Sequence, residues 1–133
     1  MNHHAALSPQ HSITVLASAG TGKTWLLVTR IVRLLLAGAQ PDAILAITFT
    51  RKAAAEMQAR LTAQLFELAQ LDDAELEHKL SLLGAVATQE NLLRARCLYE
   101  DLLRSERAVR VTTFHAFCQD LLRRFPLEAD VPP

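Results

Sequence analysis

Ile13-Thr14-Val15-Leu16-Ala17-Ser18-Ala19-Gly20-Thr21-Gly22-Lys23-Thr24 joins a short apolar run to a Gly-rich turn and then, from Lys23 onward, to an amphipathic helical pattern. Its last eight residues read as a phosphate-binding loop, and their place between strand and helix signals decides the fold class. A triphosphate crowds negative charges together, and backbone N–H groups can approach it from many directions at once. Gly20 and Gly22 permit that approach because they lack a Cβ, while the following helix offers N–H groups and the positive end of its dipole. Lys23 adds a point charge for the β- and γ-phosphates, and the Thr24 hydroxyl stands where such loops hold Mg²⁺. Ala17 occupies the place of the usual first glycine; an alanine fits there if φ stays negative, so the loop is expected to be intact. Ala17, Ser18, Ala19, Gly20, Thr21, Gly22, Lys23, Thr24 and Trp25 are the candidate cofactor-binding residues.

Upstream, Ile13 to Ala17 reads as the short buried strand that feeds the loop. Downstream, from Lys23 to about Ala37, Leu26, Leu27, Ile31, Leu34 and Leu35 recur at helical spacing with Arg30 and Arg33 on the other face. Gly38 ends the helix, Pro41-Asp42 turns the chain, and Ile44 to Phe49 has the length and composition of an interior parallel strand. Thr50 can cap a helix from about Arg51 to Leu71, with Met57, Leu61, Leu65 and Leu68 on one face and Glu56–Arg60 as an i,i+4 pair. Asp72, three residues before Glu75, is a capping-box start for a helix through about Leu83, and Glu90 to Arg104 is helical again. Arg110 to Thr112 resembles a third strand, and Phe114 to Phe125 a helix closed by Pro126. The order is β, α, β, several helices, β, α. It predicts an α/β unit with a parallel sheet, right-handed crossover and a helical insert over about 62–108.

The 133 residues are half hydrophobic, enough for one domain with a core, and their formal net charge is zero. Contact with nucleic acid therefore has to come from a local basic patch or from stacking, not from a global field. Cys97 and Cys118 form no Cys-x-x-Cys pair, which argues against a zinc site or a disulfide scaffold and for a reducing, cytoplasmic setting. His3, His4 and His11 read as solvated residues of a polar terminus and not as metal ligands. The apolar stretches are too short for a membrane span, and no leader pattern precedes them.

Two further segments lie at predicted strand ends, where ligands gather in open α/β sheets. In Ile47-Thr48-Phe49-Thr50-Arg51-Lys52 an aromatic is followed by hydroxyl and basic residues, a combination that suits single-stranded nucleic acid by stacking and phosphate contact. Burial of Phe49 in the core, with Arg51-Lys52 as a solvated helix start, fits the same letters. Val111-Thr112-Thr113-Phe114-His115 repeats the pattern, with His115 read as a helix-start residue that holds the loop and Cys118 as a small core residue.

Taken together and in order, the three segments resemble the first helicase motifs of the UvrD/Rep-like superfamily 1 DNA helicases over nearly the whole chain after the N-terminus. The pattern is most similar to the AddA/RecB-type subunits of recombination helicase-nucleases. It shares with them Ala17 to Thr24, the long helical insert and the closing Phe125-Pro126-Leu127-Glu128-Ala129-Asp130-Val131-Pro132. The resemblance implies a partial RecA-like P-loop NTPase domain in which Lys23 and Thr24 serve ATP and Mg²⁺ catalytically. It also implies a DNA track along Phe49, Thr50, Arg51, Lys52, Thr113, Phe114 and His115, a role in double-strand-break repair, and an AddB/RecC-like partner. Trp25 stands where relatives often have an arginine beside the adenine, so its indole either lies over the base or packs on neighbouring structure.

Two departures bear on this reading. Gln10 is too near the loop for the glutamine that reads adenine in such helicases, and no acidic Asp-Glu pair after a further strand, arginine finger or second motor domain follows. These residues are thus expected to be the N-terminal piece of a motor domain that does not hydrolyse ATP efficiently by itself. The rival readings are a P-loop kinase, for which acceptor-binding residues and a lid are missing, and a non-enzymatic module that binds nucleotide or DNA.

Overall fold

The computed structural model describes residues 7–16, 18, 22–104 and 108–125. Helix α1 spans Lys23–Leu36 and buries Val28, Ile31, Val32 and Leu35 at helical spacing. The leucine-based stripe is thereby corrected: Leu27 is exposed and Leu34 only half-buried, because the two valines form the inward ridge. Arg30 and Arg33, expected opposite the apolar stripe, are both half-buried. Burial, and then the neighbouring Arg30 charge, lowers the pKa of Arg33 from its ordinary value.

The end of α1 is set by Gly38, whose φ of 94° favours glycine. Its N–H donates to the Leu35 carbonyl and that of Ala39 to the Leu34 carbonyl, both at 3.0 Å, in a Schellman arrangement. A Cβ at Gly38 would lie 3.2 Å from the Arg94 guanidinium, which donates to the Leu36 carbonyl at 2.7 Å. A 3₁₀ turn over Pro41–Ala43 then leads into β1, Leu45–Thr48.

Helix α2 covers Arg51–Gln70, α3 Asp73–Leu82 and α4 Gln89–Arg104, followed by β2, Arg110–Thr113, and α5, Phe114–Arg124. In α2 the buried residues are Met57, Leu61, Leu65 and Leu68, as the periodicity predicts. Arg60 and Glu56 pair at 2.6 Å. At α3 the capping box is complete: Asp72 Oδ1 accepts from the Glu75 amide at 2.8 Å and Glu75 Oε2 from the Asp72 amide at 3.3 Å. Leu76 and Leu80 of α3 and Leu92, Ala95 and Leu98 of α4 join the stripes of α1 and α2 in one core.

Among the described residues the sheet has two parallel strands, with Leu45 opposite Arg110, Ala46 opposite Val111, Ile47 opposite Thr112 and Thr48 opposite Thr113. Ala46 and Val111 pack against the core, whereas Leu45 and Ile47, on the alternate face, are exposed. β1 is thus shorter than the expected Ile44–Phe49 strand and is covered on one face, not both.

The expected first strand is also corrected. Residues 12–16 carry no strand pairing, and Leu16 is 91% exposed. An apolar run favours burial but does not supply the neighbouring ladder a parallel strand needs. Val15 alone among Ile13, Val15 and Leu16 joins an apolar cluster, with Leu7 and Leu26. Ala17, the last residue assigned to that strand, and Pro126 lie outside the described residues.

Candidate functional site

Of the loop residues, Ala17, Ala19, Gly20 and Thr21 lie outside the described set, while Ser18, Gly22, Lys23, Thr24 and Trp25 belong to it. Gly22 is the N-cap of α1 in the left-handed region at φ 79°, a conformation that an L side chain would strain. It brings no side chain to cap the helix, and the first turn of α1 contains no acidic residue. The N–H groups of Thr24 and Trp25, which the helix cannot satisfy within itself, lie in this first turn, where an anion is favoured. Lys23 is exposed, and its Nζ donates to the Ser18 carbonyl at 2.8 Å, bridging the two described sides of the loop. Thr24 is half-buried.

Trp25 is 46% exposed and walls an open cavity of about 310 Å³ between α1 and α2, with Val28, Arg60 and Gln64. A larger cavity of about 450 Å³, with Gly38, Arg94 and Arg104 in its lining, lies at the far end of α1. Fourteen residues of helix place it roughly 20 Å from the loop.

The second and third segments meet at one edge of the sheet. Because Thr48 is in register with Thr113, the residues that follow the two strands emerge side by side and lead directly into α2 and α5. Phe49 is 86% exposed, which removes the core alternative for this ring. Phe114 is 51% exposed, and its ring meets the exposed His115 edge-on at 6.5 Å. Arg51 and Lys52 are exposed at the start of α2, and neither α2 nor α5 has an acidic residue in its first turn.

Thr50 and Thr113 have a structural task at this edge. Thr50 Oγ accepts from the Ala53 amide at 3.1 Å and Thr113 Oγ from the Ala116 amide at 3.2 Å, so each is the N-cap of its helix. Thr113 is only 9% exposed. Thr48 Oγ donates to the Thr50 carbonyl at 3.0 Å, fixing the turn that displays Phe49.

Sequence reasoning missed the Thr113 cap, although a threonine before an apolar helical run is a known signal for it. It also missed the Arg110 contacts: this guanidinium pairs with Asp120 and lies 5.9 Å from the Phe117 ring centre, tying α5 to β2. No local pattern announces a pair ten residues apart across a strand-helix junction. Cys118 is half-buried and Cys97 exposed. Among the described residues no cluster of three metal-ligating side chains occurs, and no helix is long and apolar enough to cross a membrane.

A family model described as the UvrD/REP helicase N-terminal domain matches residues 1–132. The chain is 32% identical over 127 residues to an ATP-dependent helicase/nuclease subunit of Pediococcus pentosaceus, covering 95% of this chain and 9% of that protein. A Lactobacillus helveticus protein of the same name is 32% identical, over 92% of this chain and 9% of its own length. A Listeria monocytogenes protein of that name is 33% identical, over 92% of this chain and 8% of its own. The chain therefore spans less than a tenth of the length of these three relatives.

Proposed function

Because the chain belongs to the UvrD/REP helicase N-terminal domain family, we propose that it forms the nucleotide-binding start of a RecA-like P-loop domain in an ATP-dependent DNA helicase. The name its relatives share, that of an ATP-dependent helicase/nuclease, supports a setting in double-strand-break repair and recombination, with an AddB-like partner in the cytoplasm. The observation that carries the reading is Lys23 at the head of α1, reaching back across the loop to the Ser18 carbonyl. A polyphosphate entering there accepts from the first-turn amides and takes the Lys23 ammonium, which can leave a neutral carbonyl for a stronger, charge-assisted partner. Mg²⁺, held by Thr24, would offset the charge that Lys23 does not reach. The helices that follow residue 62 form an insert between the motor elements, and DNA passes along Phe49, Thr50, Arg51, Lys52, Thr113, Phe114 and His115.

The test is ATP hydrolysis by the intact protein with and without single-stranded DNA. Stimulation by DNA, loss of activity when Mg²⁺ is chelated, and negligible turnover by the 133 residues alone are the expected results. Nucleotide binding with no DNA-dependent turnover in the intact protein would favour the binding-module reading.

For Trp25 we propose the base-stacking role, on the half-exposed ring at the wall of a cavity one residue beyond Thr24. Trp25→Ala is expected to weaken ATP binding by roughly tenfold, within the range for a base stacked on an aromatic ring. It should weaken tripolyphosphate, which has no base, far less. Equal loss for both ligands, or none, would assign Trp25 to packing instead.

A further inference from the structure

Residues 7–16 lead into the phosphate loop without the support of a strand, so whatever fixes their course also fixes the upstream end of the loop. Two contacts do this, and both are made to α1. The Leu7 side chain, 2% exposed, is buried with Leu26, and Val15 packs against them, apart from the main core. Arg30 supplies the other contact: its Nη1 donates to the Ser8 carbonyl at 2.8 Å and its Nη2 to the His11 carbonyl. The turn between those carbonyls is closed on its own side by Ser8 Oγ, which meets His11 Nδ1 at 3.3 Å and accepts from the Gln10 amide at 3.4 Å.

We infer that Arg30 is a positioning residue for the nucleotide site, acting by clipping the Ser8–His11 turn onto the helix that the loop itself opens. This inference rests on the nucleotide-binding reading given above. Arg30 lies seven residues, about two helical turns, beyond Lys23. The chain from His11 to Lys23 is therefore a closed ring on one helix, held upstream by Arg30 and crossed downstream by the Lys23–Ser18 bond. A guanidinium suits this work because its rigid fork reaches two carbonyls at once, which the single ammonium of lysine does not. Opening the ring restores conformational freedom to the loop, and the nucleotide must then order what was ordered beforehand.

Arg30→Ala and Arg30→Lys, made in the intact protein, test this by calorimetric titration with MgATP and by amide hydrogen exchange. Arg30→Ala is expected to weaken MgATP by about tenfold and Arg30→Lys by about threefold, with part of the clip restored. Exchange at residues 10–16 should accelerate while that of α2 and α4 stays at the wild-type rate, and single-stranded DNA affinity without nucleotide should not change. MgATP affinity within about twofold of wild type for Arg30→Ala, or equal weakening of both ligands with faster exchange throughout, overturns the inference. Should Arg30→Ala fail to fold, Arg30→Lys decides on the same criteria, with wild-type affinity as the overturning result. Lys23→Ala separates the two claims. If it binds MgATP like wild type, the nucleotide reading fails and the inference with it. If it loses binding while Arg30→Ala keeps it, the inference alone falls.

Discussion

Lys23→Ala in the intact protein is expected to lower DNA-stimulated ATP hydrolysis by on the order of a hundredfold or more, about 3 kcal/mol in the barrier, as for removal of one preorganised donor at a developing negative charge. The lysine is exposed at the head of α1 and its Nζ is bonded to the Ser18 carbonyl of the loop, so the loss should fall on nucleotide chemistry and not on the core. The core stripe of α1 begins beyond it, at Leu26 and Val28. Thermal unfolding without nucleotide should accordingly change little, since exposed substitutions usually shift stability within about 0.5 kcal/mol. Lys23→Arg keeps the charge but not the compact point-like donor, and should recover only part of the rate. Hydrolysis within about threefold of wild type for Lys23→Ala, at saturating ATP and DNA, would remove the phosphate-loop reading.

The second large effect belongs to the exposed rings at the sheet edge. A base stacked on an aromatic side chain contributes roughly 1–3 kcal/mol, so Phe49→Ala and Phe114→Ala should each weaken single-stranded DNA about tenfold, and the double substitution about a hundredfold. Phe49, 86% exposed, leaves no cavity when truncated, and the turn that displays it is held by Thr48 and Thr50. Phe49→Tyr should bind as wild type because the π-face survives. Oligonucleotides with abasic positions give the complementary measurement: they should bind the double variant and the wild type with similar affinity. Unchanged affinity of the double variant for normal DNA would show that the track lies elsewhere.

Legibility of the fold followed the range of the forces involved. The buried stripe Met57, Leu61, Leu65 and Leu68, the Glu56–Arg60 pair and the Asp72–Glu75 box all rest on spacing within a few residues, and all three stand in the structure. In the final helix the start at Phe114 followed from the same kind of local pattern. What local pattern did not fix was pairing at a distance. The run Ile13 to Leu16 has the composition of a buried strand, yet its state depends on neighbours that no periodicity encodes. The turn of the α1 stripe toward Val28 and Val32 was decided by which helix lies opposite. Arg110 with Asp120, and Arg30 with the carbonyls of Ser8 and His11, join residues through the fold, and arginines of this kind read in sequence as solvated charges. At the candidate site the residue types were legible, whereas the division of labour was not. Letters alone gave no means to tell an exposed Phe49 from a core ring, or to see that Thr113 serves first as a helix cap.

The in-register ends of β1 and β2 set the beginnings of α2 and α5 beside one another, with no carboxylate in either first turn. A chain whose side-chain charges sum to zero thereby acquires a polarised rim built from peptide planes. Those planes have no proton to gain or lose over the working range, so acidifying or basifying the medium leaves the rim's attraction for anions in place for as long as both helices hold together.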